Sequence, residues 1–244
     1  MESLGTAGAQ ALCFCDNCVP RLSIFRKEVY ARGTSNGVTR EVRKMRSSIW
    51  KISMAMLVAG ALPALAISLG AAAPDFTGQG ADGKTYHLSD FKGKYVVLEW
   101  HNQGCPFVKK HYGPGNMQRL QKEWTAKGVV WLKILSSHGG KQGSVSAADE
   151  LAFNKEQGAS PTASLMDAQG DIARAYQAKT TPHMFVIDPK GNLIYNGAID
   201  DKATADPADT KTAHNYVAAA LTESMAGKPV TTPSTRPYGC GVKY

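Results

Sequence analysis

The sequence predicts an α/β protein: a three-layer α/β/α sandwich around a central mixed sheet, with a β-hairpin on its N-terminal side. Three observations carry that prediction. Residues 95–100 (YVVLEW) and 129–135 (VVWLKIL) are short apolar runs, the mark of strands buried on both faces of a parallel sheet. Segments with helical spacing and capping residues alternate with such runs. Residues 183–188 and 192–199 are two further strands, and the Asp188-Pro189-Lys190-Gly191 turn between them makes an antiparallel pair.

Taken in order, residues 76–91 (FTGQGADGKTYHLSDF) form the hairpin, turning at Asp82-Gly83. After the strand at 95–100 a helix opens near Cys105 and is interrupted at Gly113-Pro114-Gly115. It resumes with Asn116 as cap, sets Met117, Leu120 and Trp124 on one face, and closes at Gly128. The strand at 129–135 leads into a glycine-rich loop, 136–144, expected to act as a flexible lid. Ser146 caps a helix over 147–157, followed by a short strand at 163–167 and a short helix at 170–177. The last helix, near 212–226, places Tyr216, Ala220 and Met225 along one side and ends at Gly227. A Pro/Thr-rich tail then leads to Cys240. There is no internal repeat.

The formal net charge of +8 is unevenly placed. Residues 1–66 hold nine Lys/Arg against four Asp/Glu, whereas the remainder holds 19 against 16. A nucleic-acid footprint is therefore a poor reading. From Met45 the chain has the form of a secretory signal: Arg46 and Lys51, an apolar run of about 22 residues from Ile52, and small-residue cleavage sites at Ala64-Leu65-Ala66 and Ala71-Ala72-Ala73. The simplest account makes 1–44 a translated leader outside the fold, 45–73 a signal peptide, 74–227 the domain and 228–244 a tail. The expected location is periplasmic or extracellular. The alternative is a membrane anchor over residues 52–73, since that run is long enough to span a bilayer.

Cys13, Cys15 and Cys18 form a CxCxxC cluster with no matching His or Cys nearby, a weak metal signal. The exported part retains Cys105 and Cys240. An oxidising compartment makes thiol chemistry or a disulfide the expectation for them. Cys105 precedes Pro106, which suits a first helical position, so the thiol sits where helix N–H groups and partial positive charge favour a thiolate. Lys109 falls one turn further along the same face. His101 and His111 flank the site, and Glu99 is either a buried proton relay or partly solvated. His183 is either a groove residue or a satisfied structural histidine.

With these features in hand, the chain resembles the peroxiredoxin-like redoxins of thioredoxin fold, the alkyl hydroperoxide reductase/thiol-specific antioxidant group. The matching stretches are APDFTGQGADGKTYHLSDFKGKYVVLEW, Cys105 at a strand-to-helix turn, TTPHMFVIDPKGNLIYNGAID and a C-terminal helix, about residues 73–227 in all. The resemblance implies that Pro182, preceded by Thr181, is a cis-proline facing Cys105. Val108 stands where a thioredoxin-type dithiol has its second cysteine, and Asn102 where peroxiredoxins have a threonine. Arg174 is the candidate for their arginine. The chain looks like a divergent branch with a single active cysteine.

The expected function is an exported antioxidant oxidoreductase in which the Cys105 thiolate attacks a hydroperoxide. The alternatives are a thiol–disulfide reductase or isomerase acting on a protein disulfide, and a non-enzymatic binding module. A small thiol or thioredoxin-like protein would supply electrons, and no cofactor or metal is required. Cys240, flanked by Gly239 and Gly241, is a candidate resolving thiol; an idle thiol on a surface tail is the other reading.

Overall fold

The structure, a computed structural model, describes residues 67–243. The expected leader, the CxCxxC cluster and the signal segment up to residue 66 lie outside the described residues. A seven-stranded mixed sheet organises the domain, in the order β2-β1-β5-β4-β3-β7-β8. Its strands are β1 (Thr77–Gly80), β2 (Thr85–His87), β3 (Val96–Trp100), β4 (Val130–Leu135), β5 (Ala163–Met166), β7 (His183–Ile187) and β8 (Leu193–Gly197). The three strands β3, β4 and β5 are parallel, β1 and β7 flank them antiparallel, and β2 and β8 pair antiparallel with β1 and β7 at the two edges. A separate two-stranded ribbon pairs β6 (Thr180–Thr181) with β9 (Cys240–Gly241). The fold is thioredoxin-like. Among the described residues, no helix is long and apolar enough to cross a membrane.

Side-chain alternation along the strands separates two cores. Val96, Leu98 and Trp100 of β3 point to one face, where Phe76, Phe185, Tyr176 and Ile172 pack. Val97 points to the other, where α1 (Pro106–Tyr112), α2 (Asn116–Ala126) and α5 (Tyr216–Met225) contribute Val108, Leu120, Trp124, Val217 and Leu221. The helix α4 (Asp171–Ala175) covers the first face, while Phe153 of α3 (Ala147–Gln157) packs against the second. Ser146 caps α3 in a reciprocal pair with Asp149, as its sequence spacing indicates.

Three boundaries differ from expectation. Gly115, not Asn116, caps α2, and Asn116 is its first helical residue. The last helix begins at Tyr216 under an Asn215 cap, because residues 207–211 form a separate 3-10 turn capped by Asp206. Its buried residues are Val217, Ala220 and Leu221, and Met225 is exposed. Third, residues ahead of Pro74 pair with the sheet. The N–H groups of Gly70 and Ala73 donate to Leu193 and Gly191, and Leu193 donates back to Ala71.

The helix-facing core contains buried charge. Glu99 lies opposite Lys133 in the β3–β4 register, and Lys133 Nζ is 2.7 Å from Glu150 Oε1 with both side chains fully buried. Burying ions is tolerated only when they are paired and hydrogen-bonded, and removing one partner strands the other. Glu150→Ala is therefore expected to cost about 3–5 kcal/mol. The neighbouring exposed Leu151→Ala should stay within about 0.5 kcal/mol. Urea midpoints of the two variants measure the difference.

Candidate active site

Strand direction decides which loops meet. The parallel register sets Ile134 beside Trp100, and the antiparallel β7 sets His183 opposite Trp100. The residues after β3, those after β4 and those before β7 therefore emerge at one end of the sheet. Cys105, the N-cap of α1, is fully buried there. Its N–H donates to the Asn102 carbonyl at 3.0 Å, and its own carbonyl receives the N–H groups of Val108 and Lys109. The Thr181–Pro182 peptide bond is cis, and the Cys105 thiol donates to the Thr181 carbonyl at 3.0 Å.

The C-terminal tail closes this end. It runs first along the edge strand β8, where the Asn196 N–H donates to the Pro233 carbonyl, the Asn196 carbonyl accepts from the Thr235 N–H, and the Thr235 hydroxyl meets Tyr195 at 2.7 Å. It then crosses to α1 through Tyr238 and pairs as β9 with β6, setting Cys240 opposite Thr181. Lys243 finishes the path by accepting the N–H of His138 and donating to Gln142. Gly239 makes the crossing possible. Its φ is 139°, and a Cβ there would lie 2.1 Å from the Thr181 carbonyl oxygen.

This path brings Cys240 to Cys105, and both are free thiols. Burial works against a charge on Cys105. Hydrogen bonds from the Cys240 thiol, the Thr181 side chain and the N–H groups of Cys240 and Val108 outweigh it, holding the thiol below its ordinary range. Cys240 moves the other way, pushed up to about 11 by burial first, then by the hydrogen bond and negative charge of Cys105, with Lys243 opposing. The two thiols are thus shifted in opposite directions, Cys105 down and Cys240 up. Val108 removes the local dithiol, and the tail brings the candidate resolving thiol, Cys240, to this end of the sheet from 135 residues away.

Beneath the site Glu99 is fully buried, which removes the partly solvated alternative. It accepts from Tyr112 at 2.8 Å, Gln121 at 3.1 Å and Trp131 Nε1 at 2.8 Å. Burial opposes its ionisation, but His101, Lys133 and Trp131 outweigh burial and keep its pKa low. His101, buried between the rings of Tyr112 and Phe153, is held neutral by burial and by Lys133.

The other sequence candidates fall as follows. Lys109 is exposed, and the strongest influences on the Cys105 thiol do not include it; its adjacent residue, Lys110, is the buried one. The groups that draw Lys110 inward come from distant segments, so sequence spacing does not single it out. Arg174 lies on the exposed side of α4, donating to Asp171 and the Gln169 carbonyl. His183 is a satisfied structural histidine: Lys179 N–H donates to its Nδ1, Nε2 meets Asn196 at 2.8 Å, and burial lowers its pKa to about 4. Asn102 organises the nearby loops, receiving Gly104 N–H and donating to the Gln142 carbonyl. The loop 136–144 is docked on the site instead of standing free, since Gln142 also reaches Gly104 and Lys243. A cleft of about 330 Å³ is lined by Gln103, Val108, Lys109, Tyr112 and Phe153, and Cys105 is not among its lining residues. Among the described residues no cluster of His, Cys, Asp or Glu has the makings of a metal site.

Residues 69–196, just over half of the chain, match the AhpC/TSA family, and the chain belongs to it. It is a redoxin of thioredoxin fold. It is similar to the thiol-disulfide oxidoreductase ResA of Bacillus subtilis (strain 168), with 29% identity over 128 residues, 52% of this chain and 66% of that relative. That match falls just short of two thirds of the relative's length. Similar solved structures include an uncharacterized conserved protein from Geobacillus kaustophilus, with TM-score 0.64, 27% identity, and 74% of this chain and 94% of that one covered. A hypothetical protein from Sinorhizobium meliloti 1021 has TM-score 0.62 and 25% identity, covering 73% and 96%.

The hydrogen bonds at Cys105 give a pH prediction. A donor to the thiolate lowers the thiol pKa, so deleting the donor raises it. Iodoacetamide alkylation of wild-type Cys105, read by peptide mass across pH, should have its midpoint below the free-thiol value of about 8.5. In Cys240→Ala the midpoint should move upward.

Proposed function

We propose that this protein is a thiol–disulfide oxidoreductase whose dithiol is Cys105 and Cys240. The observation that carries the reading is the pairing of β9 with β6, which sets the free thiol Cys240 opposite Thr181, the residue whose carbonyl accepts from the Cys105 thiol. The Cys105 thiolate attacks one sulfur of a substrate disulfide. A mixed disulfide forms, and the other substrate sulfur leaves as a thiolate that takes a proton from water. Once Cys105 is in that bond, its negative charge and its hydrogen bond no longer hold up the Cys240 pKa. Cys240 then loses its proton and attacks Cys105 Sγ, forming the Cys105–Cys240 disulfide and releasing the second substrate thiol. Two electrons pass to the substrate, and an external thiol, small or thioredoxin-like, restores the dithiol.

A lone active cysteine would favour a peroxidase over a reductase, and a second thiol beside Cys105 gives the reductase the resolving partner it needs. The residues aligned with a peroxidase's threonine and arginine are engaged elsewhere: Asn102 with Gln142 and Gly104, Arg174 with Asp171 and Gln169. One observation still favours a peroxidase as the second reading. Cys105 is fully buried, which suits a small oxidant better than a protein. There the thiolate would take the distal oxygen as a sulfenic acid, and Cys240 would condense with it to release water.

Export also belongs to this reading. Cleavage after Ala66 suits the domain better than cleavage after Ala73, which would remove the backbone hydrogen bonds of residues 70–73 to the β7–β8 turn.

Turnover of a protein disulfide with a small thiol as reductant, beside consumption of hydrogen peroxide, tests the proposal. Wild type should reduce the disulfide, Cys105→Ser should have no turnover, and Cys240→Ala should trap the mixed disulfide and slow its release by roughly 10²-fold. Rapid peroxide consumption with no disulfide reduction would replace the proposal by the second reading. Neither activity in the wild type would overturn both.

A further inference from the structure

Lys110 is fully buried on α1, five residues after the nucleophile. A lysine ammonium has three N–H donors, and each has an acceptor here: Asp200 Oδ1 at 3.4 Å, the Lys202 carbonyl, and the Tyr238 hydroxyl at 3.2 Å. The Tyr238 hydroxyl in turn donates to Asp200 Oδ1 and lies 3.4 Å from His111 Nε2. Its ring packs on Phe107 at 5.8 Å and under the Lys110 ammonium at 5.1 Å. Lys110 and Asp200 belong to the domain body, so the tail contributes one member of this polar cluster. That member stands two residues before Cys240, and only Gly239 separates them.

We infer that Tyr238 is the positioning residue for the second thiol: its hydroxyl latches the tail to the Lys110–Asp200 pair and so holds Cys240 on Cys105. The inference rests on the dithiol reading and adds how the pair is assembled. Residues 238, 239 and 240 act in sequence as anchor, sharp backbone crossing and thiol. The anchor grips the helix that carries Cys105, so the two sulfurs share one rigid support. With the latch closed, Cys105 has no exposed surface. With it open, Cys240 becomes a thiol on a loose tether and Cys105 becomes reachable. The latch therefore favours the intramolecular disulfide and shields the nucleophile, two effects of opposite sign on the two steps of exchange.

The full-length protein carrying Tyr238→Ala or Tyr238→Phe tests this through two readouts, with thermal unfolding as a check that each variant is folded. The first is the equilibrium constant of the Cys105–Cys240 disulfide in glutathione buffers, quantified by peptide mapping. The second is the alkylation rate of Cys105 at a fixed pH. Tyr238→Ala should lower the first by about tenfold, about 30 mV for a two-electron couple, and should raise the second. Tyr238→Phe keeps the ring contacts and should fall between Tyr238→Ala and wild type. A loss of packing without loss of positioning would leave the ratio of the two readouts unchanged and overturn the inference, as would wild-type values in both variants. A wild type that forms no such disulfide overturns the dithiol reading itself. In that case unchanged alkylation in Tyr238→Ala overturns the latch as well.

Discussion

Two residues of backbone pairing hold the redox site together. The strand β9 meets β6 immediately before Pro182, and that contact sets Cys240 against Cys105. The pairing is too short to be stable alone, because a two-stranded ribbon in isolation is marginal. Its surroundings fix it. Thr235 is tied to β8, Tyr238 to α1 and Lys243 to the loop after β4. The tail is thus tied to the edge strand β8, the helix α1 and the loop after β4, and together those ties hold Cys240 at the end of the sheet where Cys105 lies. A thioredoxin-type site obtains its second thiol from the next helical turn. Here Val108 occupies that turn, and the chain returns from its far end with the missing sulfur.

The helix carrying Cys105 is held along its length by different chemistry at each point. At its start the thiol bonds to Thr181; in its middle Lys110 is paired with Asp200; at its end the Tyr112 hydroxyl donates to buried Glu99. Glu99 is in turn neighboured by Lys133, and Lys133 by Glu150. Such buried ions contribute little net stability, yet losing one member is costly. Their effect here is to make α1 a fixed support, which matters for chemistry that depends on the distance between two sulfurs. The thiolate draws on donors that this support keeps in place.

Local patterns in the sequence led to most of the sheet and to the nucleophile. The runs at 95–100 and 129–135 became β3 and β4, Ser146 capped its helix, and Pro106 opened α1 behind Cys105. Such features depend on neighbours within a turn or two. What escaped depends on residues far apart in the chain. Lys109 and Lys110 are indistinguishable by spacing, and only the arrival of Asp200 and Tyr238 makes Lys110 the buried one. The strand β9 is two residues long and carries no periodicity, so its one sequence signal was the pair of glycines around Cys240. The docked loop 136–144 was expected to be free because its glycines indicate permissiveness, whereas Gly143 is small because Asn102 lies against it.

The measurement that tests this account most directly is the covalent product of oxidation. Full-length protein would be treated with one equivalent of oxidised glutathione or hydrogen peroxide and blocked at acid pH, then digested without reductant and mapped by mass spectrometry. The account predicts a cross-linked peptide pair joining Cys105 to Cys240, lighter by two hydrogens than the sum of its free peptides and lost on reduction. A product with Cys240 fully alkylated and Cys105 over-oxidised, or still joined to glutathione, would contradict it.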